Sequence, residues 1–256
     1  MKHMKHFLVP VIMLFMATSA FGGYHQLGVE ASAADNSQFV NSQGGATQIY
    51  VTNFQGFTGG GAHYFWPAME LKKSGTSETI FMQLGYYLGC AGCTPYPFVY
   101  TERSGIPGSN IWKVYTNYPL QSNLYHTFWF ETNGVANPDG TYNWEFWFAP
   151  NGTNDTKLET VKFESTNSSK APYLFSEVAG SSNACGDSFS VQYGWGQNPN
   201  YALLVKKLPG GWYYVNHANA RYFFDACNSN VSPITWQEHI TRLPATRTVC
   251  DGCQVW

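Results

Sequence analysis

Short runs of aromatic and β-branched residues, cut by clusters of Gly, Pro, Asn and Ser, succeed one another along this chain from Gln48 to Asn216. Runs of that length are too short for helices of useful size, and their residue types suit a pleated, half-buried surface. The rhythm predicts strands over 48–54, 62–66, 79–88, 97–102, 111–116, 124–132, 142–149, 156–164, 172–179, 188–195, 201–206 and 211–216. Two hairpins are readable, one around the Asn133–Thr141 loop and one around Leu208-Pro209-Gly210-Gly211. Many short strands with turn signals between them make an all-β sandwich of two antiparallel sheets. Helical periodicity is confined to a short turn expected near Ala218–Ala226.

The N-terminus reads as a secretory leader. Lys2 and Lys5 precede an apolar run from Phe7 to Met16, and small residues follow at Ala17, Ser19, Ala20 and Gly22. The run is short for a membrane span, so cleavage near residue 22 and export are expected, with no membrane contact after cleavage. Residues 23–47 lack periodicity and read as a flexible arm. Residues 48–217 form the sandwich, and 218–256 a Cys-rich C-terminal cap.

Loss of Lys2 and Lys5 moves the formal charge from −2 to −4. No basic patch is present, which argues against nucleic acid as a partner. Charged residues are only 12% of the chain, so its surface rests on Asn, Ser, Thr, Gly and Tyr and changes little in acid. The chain is expected to act as a monomer on an extracellular polypeptide or glycan, and nothing in it calls for a cofactor or metal.

Six cysteines lie in the exported part: Cys90, Cys93, Cys185, Cys227, Cys250 and Cys253. An even number in an exported chain favours disulfides. Two C-x-x-C units, 90–93 and 250–253, have thiolate spacing for zinc, but they stand much farther apart than in a zinc ribbon. Cys185 and Cys227 lack such a near partner, and their pairing is expected.

Two polar residues interrupt apolar runs. Gln83 lies in Ile80-Phe81-Met82-Gln83-Leu84-Gly85-Tyr86-Tyr87, and Glu177 in Tyr173-Leu174-Phe175-Ser176-Glu177-Val178-Ala179. Placing such groups among apolar side chains costs free energy unless they are hydrogen-bonded or put to chemical use. Strand alternation puts Phe81, Gln83, Gly85 and Tyr87 on one face, Phe98, Tyr100 and Glu102 on one, and Tyr173, Phe175 and Glu177 on one. If the three faces line one concave sheet, Gln83, Glu102 and Glu177 meet in a cleft walled by aromatics such as Tyr87 and Tyr100. Desolvation there would raise a glutamate pKa and make it a usable acid.

These segments resemble the glutamic peptidases, the eqolisins. Ile80-Phe81-Met82-Gln83-Leu84-Gly85-Tyr86 is similar to the strand that carries the family's catalytic Gln. Phe98-Val99-Tyr100-Thr101-Glu102 is similar to its next, aromatic strand, and Tyr173-Leu174-Phe175-Ser176-Glu177 to the run that ends on its catalytic Glu. The resemblance covers roughly residues 48–195. It implies a concanavalin-like jelly roll and an acid-acting endopeptidase. Glu177 would then be acid and base, Gln83 the oxyanion donor and Glu102 a supporting partner. The family's Trp-Val-Gly-Ile-Asp-Gly strand has no match in residues 70–78 of this chain.

A second constellation competes. Trp129 shares a strand face with Glu131, and Trp147 with Glu145. Indoles stack on sugar rings, and two carboxylates about 5–5.5 Å apart define a retaining glycosidase. The alternatives are therefore a lectin-like sandwich with Trp129, Trp147, Tyr86 and Tyr87 as an aromatic platform, and a glycoside hydrolase. The histidines fall into no H-E-x-x-H unit, and no G-x-S-x-G elbow occurs.

Overall fold

The structure, a computed structural model, describes residues 25–30, 39–51, 62–73, 75–76, 78–90, 92–103, 110–150, 154–169, 172–179, 190–193, 203–215, 221–225, 236–240 and 247–251. Every regular element among them is a strand. In chain order these are β1 (His25–Glu30), β2 (Gly44–Val51), β3 (Ala62–Lys72), β4 (Thr79–Leu88), β5 (Tyr96–Arg103), β6 (Ile111–Val114), β7 (Leu124–Ala136) and β8 (Tyr142–Ala149). Then follow β9 (Thr156–Phe163), β10 (Tyr173–Ala179), β11 (Ser190–Tyr193), β12 (Leu203–Lys207), β13 (Gly211–Val215), β14 (Arg221–Asp225), β15 (Trp236–Ile240) and β16 (Arg247–Asp251).

The protein is an all-β sandwich of two antiparallel sheets. One runs β14-β1-β10-β3-β4-β5-β6. The other runs β15-β16-β11-β2-β7-β8-β9, with the β12–β13 hairpin also joined to β2. Alternation builds the core. Met82, Leu84 and Tyr86 from β4 meet Phe128 and Phe130 from β7 and Trp144, Phe146 and Phe148 from β8, all buried between the sheets. The Trp144 indole N–H donates to the Ser165 carbonyl at 2.9 Å, which satisfies the polar atom of the largest buried side chain.

The strands follow the aromatic runs closely, with three differences. The run that the sequence ends at Trp66 continues as β3 to Lys72, through Pro67 in the interior of the sheet. Proline has no N–H for the ladder, and the β3–β4 pairing skips from Phe65↔Tyr86 to Ala68↔Gln83 around it. Strand β3 thus occupies the position beside the Gln83 strand where residues 70–78 offered no match. The region near Ala218–Ala226, expected as a helical turn, contains strand β14. Residues 25–30, within the segment read as an arm, pair with β10 and β14, and the tail read as a cap adds strands to both sheets.

Cys90 and Cys93 are joined by a disulfide at the tip of the β4–β5 hairpin. This removes two of the four thiolates that a zinc site from both C-x-x-C units would need. Cys185, Cys227 and Cys253 lie outside the described residues, and with them the expected Cys185–Cys227 pair; Cys250 is placed in β16 by its backbone.

Candidate functional site

Even-numbered residues of β4 enter the core, so Phe81, Gln83, Gly85 and Tyr87 face away from it, on the outer side of the seven-stranded sheet. A second apolar cluster covers that side. Trp66, Ala68, Phe98 and Tyr100 are buried in it, with Tyr64, Phe81, Tyr87, Trp112 and Val114 packed around them. Gln83 lies within this cluster, opposite Ala68 on one side and Tyr100 on the other, and is only 8% exposed.

A glycine shapes the surroundings. A Cβ on Gly85 would stand 1.9 Å from the Phe65 carbonyl oxygen and 2.7 Å from the Trp66 Cα, so only glycine lets β3 come this close. Gly85 also leaves the face bare above it. The Trp112 indole extends there from β6, 5.1 Å from the Phe98 ring and 5.6 Å from that of Tyr64, three strands away. Phe81 leans edge-on to both Trp66, at 6.1 Å, and Tyr100, at 6.3 Å. Gln83 is therefore walled on both sides by rings, yet no described residue hydrogen-bonds its amide.

Three glutamates occupy this face by register. Glu102 is opposite Phe81 on β5, and its Oε2 accepts the Tyr100 hydroxyl at 2.8 Å. Burial, then the hydrogen bond to Glu102 and its charge, push the Tyr100 hydroxyl far above the usual tyrosine range, so it remains a donor. Glu70 is opposite Phe81 on β3 and is half-buried. Glu177, on β10, is opposite Tyr64, which is in turn opposite Tyr87. The tyrosines flagged in the sequence fall on this face, Tyr87 half-buried and Tyr100 buried. Tyr86, counted there among the platform aromatics, points into the core instead. Glu70 was missed, because its strand was ended at Trp66; the even spacing of Trp66, Ala68 and Glu70 was the available signal.

Trp129 and Trp147 lie on the outer side of the other sheet, so they share no cleft with Gln83; the core separates them. Their rings are stacked 5.9 Å apart at 4°, and Glu131 is directly opposite Glu145. Glu131 is held by the Lys206 ammonium and by the Trp129 indole N–H, at 3.3 Å. Glu145 accepts from Lys157 at 2.9 Å, and the same ammonium covers Trp147 at 5.2 Å. Each carboxylate thus has its own cation, and each face of the Trp147 ring already has a neighbour. The buried Trp147 Nε1 has no partner.

No family model and no curated protein matches the chain. Among solved structures, the chain is similar to SCP-B, described as a member of the eqolisin family of peptidases in complex with the tripeptide Ala-Ile-His. The identity is 11% and the TM-score 0.48, over 91% of this chain and 99% of that one. It is also similar to scytalidoglutamic peptidase with a peptide-based transition-state analog, at 11% identity and a TM-score of 0.48, over 89% of this chain and 98% of that one.

Proposed function

We propose that the protein is an exported, acid-acting endopeptidase whose centre is the Gln83 cleft. One observation carries this reading: an amide that is 8% exposed, ringed by aromatics, and bonded to no described residue. A structural amide in such a place would be satisfied. An amide awaiting a substrate oxygen would not. The basic start, the apolar run after it and the Cys90–Cys93 disulfide support export.

In the proposed reaction, a protonated glutamate of this face gives its proton to the scissile carbonyl oxygen. Its other oxygen takes a proton from the attacking water as the carbon–oxygen bond forms. The Gln83 N–H bonds the oxygen on which charge develops. In the second half the glutamate takes the hydroxyl proton and protonates the leaving nitrogen as the carbon–nitrogen bond breaks. It ends protonated, and one water is consumed. The resemblance gives this role to Glu177, with Glu102 as support through Tyr100.

Casein digestion from pH 2 to 7 by the mature protein tests the function. Gln83→Ala should fold and lose about 10²–10³ in rate, as expected for removal of one oxyanion donor. Absence of cleavage by wild type at every pH, or equal cleavage by Gln83→Ala, refutes the reading. Glu177→Gln tests the resemblance residue by residue.

A further inference from the structure

We propose that the Cys90–Cys93 disulfide is a redox-sensitive clip, and that a small thiol which opens it releases Tyr87 from the aromatic wall of the cleft. The clip rests on the packing of the hairpin tip; its effect on substrates rests on the peptidase reading.

Strands β4 and β5 end their ladder at the pair Tyr87↔Tyr96, and the disulfide ties the turn beyond it. The two cysteines are only 3 residues apart in the chain. A ring this small removes far less entropy from the unfolded chain than one closing tens of residues. The fold and the bond stabilise each other by the same amount, so folding does little to protect this bond from reduction. Access does not protect it either. Cys93 and its neighbours Gly92 and Thr94 are exposed, and Cys90 is half-buried. A Cβ on Gly92 would meet nothing within 4 Å, so this part of the turn stands clear of the molecule. Exposed disulfides are the labile ones. The base of the hairpin is held independently of the sulfurs. Leu88 is buried in the core, and the Pro95 carbonyl accepts from the Leu120 N–H at 2.9 Å. Opening the bond therefore frees the turn and leaves both sheets in place.

Tyr87 is where the turn meets the cleft. A Cβ on Gly89 would stand 2.7 Å from the Tyr87 hydroxyl oxygen, so the outer end of that side chain rests on Gly89, the residue before Cys90. The same ring packs 5.2 Å from that of Tyr64 and 6.3 Å from that of Trp112. A turn that loses its cross-link moves Gly89, and Tyr87 loses its support on that side.

The chemistry is thiol–disulfide exchange. The thiolate of a small thiol attacks the Sγ of Cys93, the more exposed of the two residues. The Sγ–Sγ bond breaks, a mixed disulfide forms on Cys93, and Cys90 leaves as a thiolate that takes up a proton. A second thiol attacks the mixed disulfide, which frees Cys93 as a thiol and leaves the small molecule as its own disulfide. Two small thiols are oxidised as one protein disulfide is reduced.

The test equilibrates the mature protein in glutathione buffers of stepped ratio, alkylates it, and maps the modified residues by mass spectrometry. Cys90 and Cys93 should both be alkylated while the native circular dichroism persists. The Tyr87 ring signals, assigned by their loss in Tyr87→Phe, should shift on reduction and return on reoxidation. Those of Tyr142, on the other sheet, should stay in place. In the casein assay KM should rise about 2–10-fold with kcat unchanged, the worth of one aromatic contact. The double variant Cys90→Ser/Cys93→Ser should behave as the reduced protein in every buffer. Alkylation at 90 and 93 only after the native circular dichroism is lost, or Tyr87 signals that ignore the thiol state, overturns the proposal. So does a double variant with wild-type Tyr87 signals, or an active enzyme with the same KM in both states. A wild type that cleaves no casein while its Tyr87 signals follow the thiol state upholds the clip and refutes the peptidase reading.

Discussion

Replacement of Gln83 by Met separates a structural amide from a functional one. Met is unbranched, polarizable and close to Gln in shape, so it fits among Trp66, Phe81 and Tyr100 with little strain. The native amide is 8% exposed and bonded to no described residue. An unsatisfied buried polar group costs about 1–3 kcal/mol. The remaining exposure of Gln83 places its cost in the lower half, and the thioether adds apolar burial. Gln83→Met should therefore stabilise the fold by about 1–2 kcal/mol. In a chain of this size each kcal/mol moves the melting midpoint by about 2–4 °C, so a rise of roughly 2–8 °C is expected. In urea, with a slope of about 2–3 kcal/mol per molar, the midpoint should rise by roughly half a molar. Casein cleavage should fall by the same 10²–10³ as in Gln83→Ala. The measurements are thermal and urea unfolding of the mature protein beside the casein assay. A loss of more than about 1 kcal/mol would show that the amide holds the sheet together, and the functional argument would fail with it.

The other expectations concern the scaffold and its pH range. Gly85→Ala should cost more than about 3 kcal/mol, because the new Cβ meets backbone rather than a movable side chain; a urea midpoint within error of wild type would refute the close approach of β3. Trp144→Phe should cost about 2–4 kcal/mol, through the lost bond to the Ser165 carbonyl and the space left in the core, measured in the same way. His126 is buried, and desolvation holds its pKa below the usual value despite its bond to the Gln121 carbonyl. Its contribution to stability is complete above the unfolded value of about 6.5 and is lost as pH falls toward the folded one. The urea midpoint should drop below that pH, and His126→Gln should flatten this part of the profile. For Glu159, burial pushes the pKa up, but bonds from Lys113 at 2.9 Å and Tyr115 at 3.0 Å outweigh it and hold the pKa below the usual range. Its contribution is present above the unfolded glutamate value and is lost as pH falls through the folded one, so Glu159→Gln should remove the more acidic part of the decline.

Strand positions were legible in the sequence because aromatic and β-branched runs end sharply at Gly, Pro and Asn. Faces were legible too, since alternation along β4 and β5 is strict: Met82 and Leu84 go inward, Phe81 and Gln83 outward. Register was not legible. Whether Gln83 lines up across β3 with Tyr173 or with Glu177 depends on how β3, β4 and β10 slide past one another, and no local residue pattern encodes that offset. Pro67 hid the rest of β3, because a proline in an interior strand contradicts the usual preference. The ladder continues around it because Gly85 lets the backbones close up. With that strand cut short, Glu70 lay outside every candidate element. The order of the sheet was equally hidden, since β1, β10 and β14 are neighbours in space but come from three distant parts of the chain.

The two outer faces show why an aromatic residue beside a carboxylate does not by itself identify a site. On the nine-stranded sheet the grouping is more conspicuous in the sequence, with two tryptophans and two glutamates in one hairpin. Folding satisfies it internally: the indoles stack on each other, and each glutamate takes a lysine. What remains is one indole N–H without a partner, and on Trp147 no ring face without a neighbour. On the seven-stranded sheet the tyrosine hydroxyl is also satisfied, by Glu102, whereas no described residue bonds the amide beside it. The rings that surround Gln83 leave it only 8% exposed, and no described residue bonds its amide. Low polarity around it would strengthen any hydrogen bond made there.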